Sequence, residues 1–359
     1  MKKSLISRLY KKIISHIFFI IYGKIFNSKY CSKNVIIKKI NKIENTSVKK
    51  FNYKIFKIKD GRIFTNYVES LAVIQKKSLV KEVSFQQING KLYKSKNQVI
   101  KTGTPKFLKI FSGKMIVLSQ GASGHFNYAH WLFDIVPKIK LISTKYKISD
   151  IDFFYFSKLT KFQKETFKLL KINTKKIIDS NEFRHVQASS VYAVTHPNYF
   201  DATIFKAHSN LPKWIVIYLR KLFLKKIKKN FNYENIFIDR ADSSNKHCQP
   251  VNNNKVIEFL KNKNFKILKL SKYSIFDQVS IFHSCKKIIA PHGAGLANIT
   301  FCKKKTKVIE LIPKNHPSRA HKRISSINKL NYKLIHCKKI SNNKNGDMFV
   351  DLDILKNYI

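Results

Sequence analysis

One stretch of this sequence combines glycines with a histidine in a pattern suited to holding phosphate. The segment Pro291-His292-Gly293-Ala294-Gly295 lies between a β-branched run and an apolar run. Because Gly293 and Gly295 have no side chains, backbone N–H groups there can approach a phosphate closely. A helix that begins at such a loop favours an anion at its N-terminus. The same glycines would also serve an ordinary strand-to-helix turn, so the interpretation depends on the neighbouring residues.

Two charged residues strengthen the phosphate interpretation. Arg240 follows the first predicted strand of the C-terminal region, and Glu310 ends the fourth. Ligands bind at the carboxyl ends of parallel strands, so we expect both residues beside the loop that ends the third strand. Arg240 can make a bidentate phosphate contact, and His292 adds a hydrogen-bond donor. Glu310 can accept hydrogen bonds from a ribose, and the set together predicts a phosphate or nucleotide site.

A second group of polar side chains shares one face of a predicted helix. Asn127, His130, Trp131 and Asp134 are spaced as i, i+3, i+4 and i+7. Asp134 can orient the His130 imidazole or raise its basicity, as a general base requires. A buried polar network that fixes the helix is an equal alternative, and we assign Trp131 to the core. The opposite stripe is ordinary core and comprises Leu132, Ile135, Val136 and Ile139.

The residues that flank this helix bear on how it is placed. Gly121-Ala122-Ser123-Gly124 precedes it and gives a flexible entry that can bring backbone close to a ligand. Pro137 is expected to kink or end the helix, because proline lacks the N–H that the helical ladder needs.

Metal-ligand spacing is sparse. Asp150-Ile151-Asp152 has the form of an acidic metal-binding pair, but the start of a strand is the favoured interpretation. The five cysteines are scattered and form no C-x-x-C pair, which argues against a zinc cage or a disulfide framework and favours reduced thiols. We therefore expect no metal and no cofactor.

The elements that must position these residues are clearest after Asn235. Strand-like and helix-like runs alternate with short links, which predicts a parallel sheet with right-handed crossovers. Ser274, with Asp277 three residues later, forms a capping box at the start of one helix. The predicted strands are Asn235–Asp239, Phe265–Leu270, Lys286–Ala290 and Lys307–Leu311, and the predicted helices are Asn253–Asn262, Ser274–Ser284 and Ala294–Phe301.

The region from Phe51 to Leu118 is β-rich, and its Asp60-Gly61 pair predicts a hairpin between Tyr53–Ile58 and Ile63–Tyr67. Asn89-Gly90 and Gly103-Thr104-Pro105 mark further turns. A Lys-rich helix is expected over Pro212–Lys229. We divide the chain into a basic N-terminal extension (residues 1–50), an N-terminal domain (51–229) and a Rossmann-like C-terminal domain (230–359).

The chain carries a formal net charge of +51, with 44% hydrophobic residues, so it is basic but not disordered. One explanation of the charge is attraction to polyanions such as an anionic membrane surface. An equal alternative is compositional drift, because Lys, Asn, Ile, Phe and Tyr are all abundant together. Basic residues precede an apolar run from Ile13 to Tyr22 that is too short to span a bilayer. We expect either an interfacial amphipathic helix or a helix packed on its own domain.

Three segments resemble the family 61 glycosyltransferases, which include bacterial capsular polysaccharide biosynthesis proteins. They are Gly121–Pro137, Ile236–Asn252 and Ile288–Leu311, and their order and spacing agree with the family motifs N-Y-x-H-W-L-x-D and P-H-G-A-G-L-x-N. The sequence departs from the family after Arg240. Lys246 and His247 occupy the basic region, and Asn252-Asn253 stands where the family often has Asn-Glu.

The resemblance implies an α/β fold of the GT-B type, with two Rossmann-like domains facing a cleft and, here, a β-rich N-terminal extension. It implies an inverting, metal-independent transfer of a sugar from a nucleotide-sugar donor to a surface-glycan or lipid-linked glycan acceptor at the cytoplasmic face of the membrane. The donor-side residues carried over are Arg240, His292, Gly293, Ala294, Gly295 and Asn298, with Glu310 beside them and Asn127 and Lys246 in support. The base is left open among His130, Asp134 and His125.

Two other functions fit parts of the sequence. A nucleic-acid-binding protein would explain the charge, but lysine exceeds arginine throughout the chain and no nucleic-acid-binding module is visible, so no specific nucleic acid is expected. A non-catalytic family member that kept the fold for binding would explain the missing Asn-Glu carboxylate.

Overall fold

The computed structural model describes residues 5–30, 32–41, 51–66, 70–94, 96–120, 126–198, 203, 206–227, 229–243, 246–340 and 346–359. The chain divides into a first compact unit, Met1–Glu44 with Lys50–Ile204, and a second, Asn45–Lys49 with Phe205–Ile359. The sequence placed this division at 229/230, whereas the structure places it at 204/205. The intervening helix belongs to the second unit because Arg220 donates hydrogen bonds to the carbonyl oxygens of Thr300 and Cys302, at 2.6 and 2.8 Å.

The first unit is built on one large mixed sheet. Its strands are β1 (Val35–Lys39), β2 (Lys54–Phe64), β3 (Ser70–Gln75), β4 (Ser78–Leu79), β5 (Phe85–Ile88), β6 (Lys91–Tyr93), β7 (Lys109–Val117), β8 (Phe153–Phe156), β9 (Ile177–Asp179) and β10 (His185–Val194). Its helices are α1 (Leu5–Tyr22), α2 (Val99–Thr102), α3 (Tyr128–His130), α4 (Val136–Ser143) and α5 (Lys161–Leu169).

The order of the strands shows that the β-rich region is part of this sheet. The sheet has ten strands in the order β6-β5-β3-β2-β10-β7-β8-β9, with β1 on β2 and β4 on β3. Strands β10, β7, β8 and β9 are parallel neighbours, and β2 pairs antiparallel with β10. The expected β-rich extension is therefore not a separate appendage. Its strands share a core with the parallel strands, as Phe56, Val117 and Val191 show.

The hairpin predicted at Asp60-Gly61 is wrong. A single strand, β2, runs through both residues and pairs with β10 on both sides of them. Asp60 adopts a positive φ of 50°, and a Cβ at Gly61 would lie 2.9 Å from Val191. The pair therefore serves a close strand-to-strand contact within the sheet. The turn expected at Asn89-Gly90 is confirmed, since both residues have positive φ between the hairpin strands β5 and β6.

The helical segment that carries His130 is irregular. It begins as α3, continues as a π-helical turn over Trp131–Ile135, and ends as α4. Asn127 caps its start, because its Oδ1 accepts hydrogen bonds from the N–H groups of Ala129 and His130 at 3.0 and 3.2 Å. Pro137 lies in the first turn of α4, so it neither ends nor breaks the segment, and the widened π turn precedes it.

The second unit contains the predicted parallel sheet. Its strands are β11 (Asn235–Ile238), β12 (Lys266–Leu268), β13 (Lys287–Pro291), β14 (Lys307–Pro313), β15 (Asn331–Lys339) and β16 (Met348–Phe349). Its α-helices are α6 (Lys213–Phe223), α7 (Asn253–Lys261), α8 (Ile275–Ser284), α9 (Ala320–Asn328) and α10 (Leu352–Lys356). The helix expected over Ala294–Phe301 is a 3₁₀ helix with those bounds, and the helix expected to reach Lys229 ends as 3₁₀ structure at Lys226.

Strand order in this sheet defines where a ligand would bind. The order is β12-β11-β13-β14-β15-β16, and all neighbours are parallel except β15 and β16. The order in which the chain adds strands to the sheet therefore reverses between β11 and β13, and open α/β sheets bind ligands in the crevice at such a reversal. The α/β class is confirmed in both units. Ser274 caps α8 as predicted, with its Oγ accepting from the N–H of Asp277 at 3.1 Å.

Among the described residues, no helix combines the length and apolar character needed to cross a bilayer. Four cysteines, Cys248, Cys285, Cys302 and Cys337, are free thiols and buried, and Cys31 lies outside the described residues.

Candidate active site

The loop after β13 lies directly against the side chain of Arg240. Nη1 of Arg240 donates a hydrogen bond to the carbonyl oxygen of His292, and Nη2 donates to Oγ of Ser243 at 3.3 Å. A Cβ atom at Gly293 would overlap Nη1 and Cζ of the guanidinium. The backbone at position 293 is extended and would accept any residue. Glycine is needed there because a side chain would collide with the guanidinium. The predicted meeting of the first and third strand ends is confirmed.

Arg240 is partly buried, and its guanidinium forms no salt bridge with a carboxylate of the described residues. Burial lowers the pKa of Arg240, while Cys248, Asp242 and Asp347 act to raise it. No carboxylate of the described residues lies within ion-pair distance of its guanidinium. A buried charge without a salt-bridge partner is costly, so this guanidinium is suited to bind an anion that the described residues do not supply.

Glu310, which the sequence placed at the end of its strand, lies in the middle of β14 and is the centre of a buried network. It is 2% exposed, and its Oε1 accepts hydrogen bonds from Nδ1 of His292 at 2.5 Å and Nδ1 of His321 at 2.8 Å. Its Oε2 accepts from the hydroxyl of Tyr332. Burial alone would raise the pKa of Glu310, but the charges and hydrogen bonds of His321 and His292 outweigh it and hold the pKa well below its usual range.

This geometry changes the role expected of Glu310. We expected the carboxylate to accept hydrogen bonds from a ribose. Both of its oxygens are instead engaged by side chains of the same unit, and the group is out of reach of solvent. Glu310 therefore orients His292, and ribose recognition is left to other groups.

His292 is held in a defined orientation and is favoured in its neutral form. Burial lowers the pKa of His292, and His321 and Arg240 add to that effect, against the opposing influence of Glu310. With Nδ1–H directed to Glu310, the neutral ring carries its lone pair on Nε2. The ring of His316 lies 4.4 Å away, and burial together with His292 lowers the pKa of His316 to about 4. His292 can donate from Nε2 to a phosphate only after it takes up a proton.

Asn298 fixes the shape of the loop from beneath. It is fully buried, and its Nδ2 donates to Oε1 of Gln278 at 2.9 Å and to the carbonyl oxygen of Gly295 at 3.1 Å. Gln278 in turn donates to the carbonyl oxygens of Leu270 and Tyr273. Asn298 therefore positions Gly295. Its Nδ2 is directed to Gln278 and to the backbone of the loop, and not toward a bound sugar nucleotide.

The segment after Arg240 makes fewer contacts with the loop after β13 than the sequence suggested. Lys246 is exposed and makes no hydrogen bond to the loop among the described residues. Asn252 exchanges hydrogen bonds with the backbone of Val350, and Asn253 donates to the buried Asp239 at 3.1 Å. The two asparagines are structural in this chain.

In the first unit, His130 and Asp134 form the predicted pair. Nδ1 of His130 lies 2.5 Å from Oδ2 of Asp134, and both residues are buried. Nε2 of Gln120 donates to the same carboxylate oxygen at 3.2 Å. A carboxylate bound at Nδ1 fixes the tautomer in which Nε2 carries the lone pair of the neutral ring. Asn127 supports the pair as the helix cap described above.

Two further residues of this helix have clear roles. Trp131 is core, as expected, with its indole N–H donating to Oγ1 of Thr166 at 3.1 Å. Lys138 is fully buried, and its Nζ donates to the carbonyl oxygens of Leu118 and Ser119 at 3.1 and 2.9 Å. Burial lowers the pKa of Lys138 to about 7, against the influence of Asp134. The segment Gly121–Gly124 and the third candidate base, His125, lie outside the described residues.

Three side chains of the second unit are close enough together to share a metal ion. In the second unit, ligand atoms of His292, Glu310 and His321 lie within 4.8 Å of one another. The Nδ1 atoms of both histidines are within hydrogen-bonding distance of Oε1 of Glu310, which fits a network linked by protons.

The acidic pair at Asp150–Asp152 lies in the first unit. Asp152 accepts a hydrogen bond from the N–H of Lys114 at 2.8 Å where β8 begins, which supports the strand-start interpretation.

Sequence reasoning missed His316, His321, Tyr332 and Lys138. The strand-end rule that selected Arg240 would have selected His316 and His321, because both follow β14 closely. Lys138 could have been found from its spacing, since His130, Asp134 and Lys138 recur every four residues. Tyr332 lies on β15, a strand that we had not predicted, and it had no such signal.

One model of a known protein family matches this chain. The model of the family Glycosyltransferase 61 matches residues 128–309, half of the chain. The chain belongs to the glycosyltransferase 61 family. The match begins two residues before His130 and includes Arg240 and the loop at Gly293, whereas Glu310 and His321 lie beyond it. No curated protein matches the chain.

Proposed function

We propose that this glycosyltransferase 61 protein moves a sugar from a nucleotide-sugar donor to a glycan acceptor with inversion at the anomeric carbon. The observation that carries the proposal is the environment of the Arg240 guanidinium. This group is partly buried, lies against Gly293, and forms no salt bridge with a carboxylate of the described residues. A donor diphosphate supplies the missing anion and matches the bidentate geometry of arginine.

On the donor side, the diphosphate lies against Arg240 and the N-terminus of the 3₁₀ helix at Ala294. Negative charge on the diphosphate grows as the bond to the anomeric carbon breaks. A fixed guanidinium and backbone N–H groups stabilise this charge without reorganising. His292 takes up a proton as the anion binds and then donates from Nε2, while Glu310 keeps the imidazolium oriented.

On the acceptor side, the base is His130, and Asp134 orients it. Nε2 of His130 removes the proton from the acceptor hydroxyl, whose oxygen attacks the anomeric carbon as the bond to the nucleoside diphosphate breaks. The hydrogen bond from Nδ1 to Asp134 stabilises the imidazolium that results. A GT-B-type arrangement of two Rossmann-like domains around a cleft is part of this proposal.

We infer that transfer proceeds without a metal, since Arg240 and protonated His292 together supply positive charge at the diphosphate. Chelation by EDTA is expected to leave the rate unchanged. A rate that falls with EDTA and returns with a divalent ion would contradict this.

The acceptor that we propose is a surface glycan, of capsular or lipopolysaccharide type, that grows on a lipid at the cytoplasmic face of the membrane. Membership of the family supports a glycan acceptor. The excess of basic residues supports a location at a membrane surface that contains anionic lipid.

The direct test is a panel of UDP-, GDP- and CMP-sugars, scored for both hydrolysis and transfer. Arg240→Ala is expected to lower kcat/KM by about 10- to 100-fold, in line with loss of a charge-assisted contact worth about 1.5–3 kcal/mol. Arg323→Ala is the matched control, because its Nε donates to the carbonyl oxygen of Leu211 and it belongs to the same unit. His130→Gln is expected to abolish transfer while nucleotide affinity is retained.

Three results would count against the proposal. If no activated sugar binds, or if Arg240→Ala behaves like Arg323→Ala, the donor site is misassigned. If nucleotide sugars bind but His130→Gln and the wild type are equally inactive, the chain is a binding protein that has kept the fold.

A further inference from the structure

Helix α1 uses one face to pack on the first unit. Phe18 is buried and stacks on Tyr22, with ring centroids 5.8 Å apart, and it meets Phe107 edge-on at 5.3 Å. The hydroxyl of Tyr22 accepts a hydrogen bond from the N–H of Leu108 at 3.0 Å, and its ring lies 4.9 Å from His185. These contacts fix the orientation of the helix on its unit.

The opposite face of α1 is apolar and exposed. At 3.6 residues per turn, its exposed apolar residues fall within an arc of about 120°. Their exposure is high, reaching 76% at Ile20. The stripe, which we call the α1 stripe, consists of Leu9, Tyr10, Ile13, Ile17, Ile20 and Ile21. Phe107, which contacts the helix through Phe18, is itself 83% exposed. Contiguous exposed apolar surface of this kind marks an interaction site.

Positive charge surrounds the α1 stripe. Residues 1–43 contain 11 lysines and arginines and no aspartate or glutamate. Lys12 is exposed on the helix itself, and Lys24 is exposed two residues beyond its end. Lys106 and Lys109 are exposed on either side of Phe107. An apolar stripe bordered by lysines is complementary to a partner surface with an apolar interior and negative charge around it.

We propose that the α1 stripe and Phe107 dock this protein on an anionic lipid bilayer, with α1 lying in the plane of the headgroups. Amphipathic helices with lysine borders bind in this way, with their apolar face at the boundary of headgroups and acyl chains. The charge excludes a second copy of the chain as the occupant, because two such faces would bring like charges together. The site uses none of the residues assigned to sugar transfer, so the two proposals stand or fall separately.

The test is sedimentation of the full-length chain with vesicles of phosphatidylcholine, with and without phosphatidylglycerol. Wild-type protein is expected to sediment with the anionic vesicles and only slightly with the neutral ones. Ile13→Ser/Ile20→Ser is expected to lower the partition coefficient on anionic vesicles by about 10-fold or more, because two apolar side chains are lost from the interface. Lys106→Gln/Lys109→Gln is expected to lower it by about five-fold per lysine.

The matched control is Ile217→Ser/Ile354→Ser, which removes two isoleucines of 51% and 45% exposure from α6 and α10. Circular dichroism and melting curves establish that each variant is folded. Equal partition of the α1 and control variants would overturn the proposal, since only generic charge would then be at work. Equal binding to neutral vesicles would also overturn it, as would a dimer in solution that the α1 substitutions dissolve.

Discussion

At the residue scale, the closest approach in the candidate donor site joins Arg240 to the backbone at Gly293. A Cβ at position 293 would occupy the place of the guanidinium, so Gly293→Ala must push Arg240 away from the loop. We expect the affinity for a nucleoside diphosphate to fall by about 10- to 100-fold, the value of a charge-assisted contact. Isothermal titration calorimetry measures this directly.

Gly295→Ala provides the comparison within the same loop. A Cβ at position 295 would meet Cδ1 of Leu270 at 2.8 Å, which is the far end of a flexible side chain that can move. The affinity is therefore expected to fall less than in Gly293→Ala. An equal loss in both variants would mean that general disruption of the loop, and not displacement of Arg240, causes the effect.

Protonation of His292 is expected to give the proposed donor site a pH dependence. Burial lowers the pKa of His292 in the free protein, whereas a bound diphosphate favours the protonated ring and raises that pKa. Binding is therefore linked to proton uptake, and affinity for a nucleotide sugar is expected to fall as the pH rises. The limit for a single proton is about tenfold per pH unit.

A nucleotide sugar, which lacks a terminal phosphate ionisation, is the appropriate ligand for this measurement. His292→Gln cannot titrate, so its dissociation constant is expected to stay flat over the same pH range. A wild-type affinity that is independent of pH, or a slope that survives in His292→Gln, would show that His292 does not gain a proton on binding.

At the scale of elements, α4 is joined to the end of β7 through a buried ammonium. Lys138 donates to the carbonyl oxygens of Leu118 and Ser119, just before the segment that leads to Asn127. Its folded pKa of about 7 lies below the ordinary 10.5, so between these values the unfolded chain binds a proton that the folded chain does not. The free energy of unfolding attributable to Lys138 is therefore expected to rise by about 1.4 kcal/mol per pH unit in this window.

The measurement is urea unfolding of the wild type and Lys138→Met at several pH values above 7. The difference between the two free energies isolates this lysine from the many others that titrate at high pH. It is expected to shift in favour of the wild type as the pH rises. A constant difference would mean that Lys138 has the same pKa in the folded and unfolded chains.

The sequence predicted the second unit well because its elements have strong local signals. Buried parallel strands are continuous apolar runs, and Ser274 marks a helix start by its side chain. The strand-end rule then placed Arg240 beside Gly293 without any knowledge of contacts. Glu310 lies beside His292 as predicted, although within β14 and not at its end. Its partners were not predicted, because His321 and Tyr332 come from elements that the sequence left unassigned.

The first unit was predicted less well because its pairing is long-range. Asp60-Gly61 has the local signature of a hairpin, but pairing with β10 on both sides of it holds the strand extended. No local pattern reveals that β2 and β10, more than a hundred residues apart, are neighbours. Pro137 was expected to kink or end its helix, but it lies in the first turn of α4 and the π turn of Trp131–Ile135 precedes it, which the local sequence did not reveal.

At the scale of the whole molecule, charge is far from balanced. Lysine and arginine total 71 against 20 acidic residues, so at least 51 basic residues have no acidic partner of their own. Self-repulsion of this size opposes the compact state, and its range is set by the ionic strength. The repulsion is compatible with folding because both units have large apolar cores. We therefore expect bound anions to stabilise the fold in two ways, through general screening and through the site that we propose at Arg240.

These two contributions can be separated by thermal unfolding in salt. Raising sodium chloride from about 0.05 to about 0.5 M is expected to raise the melting temperature by a few degrees, because the Debye length shortens and repulsion weakens. Sodium sulfate at equal ionic strength is expected to add a further increase from binding at Arg240, together with its general effect on burial. Arg240→Ala should keep the chloride effect and lose the site-specific part of the sulfate increment, whereas Arg323→Ala should keep both. A melting temperature that is flat or falls with chloride would show that charge repulsion is not what limits the stability of this molecule.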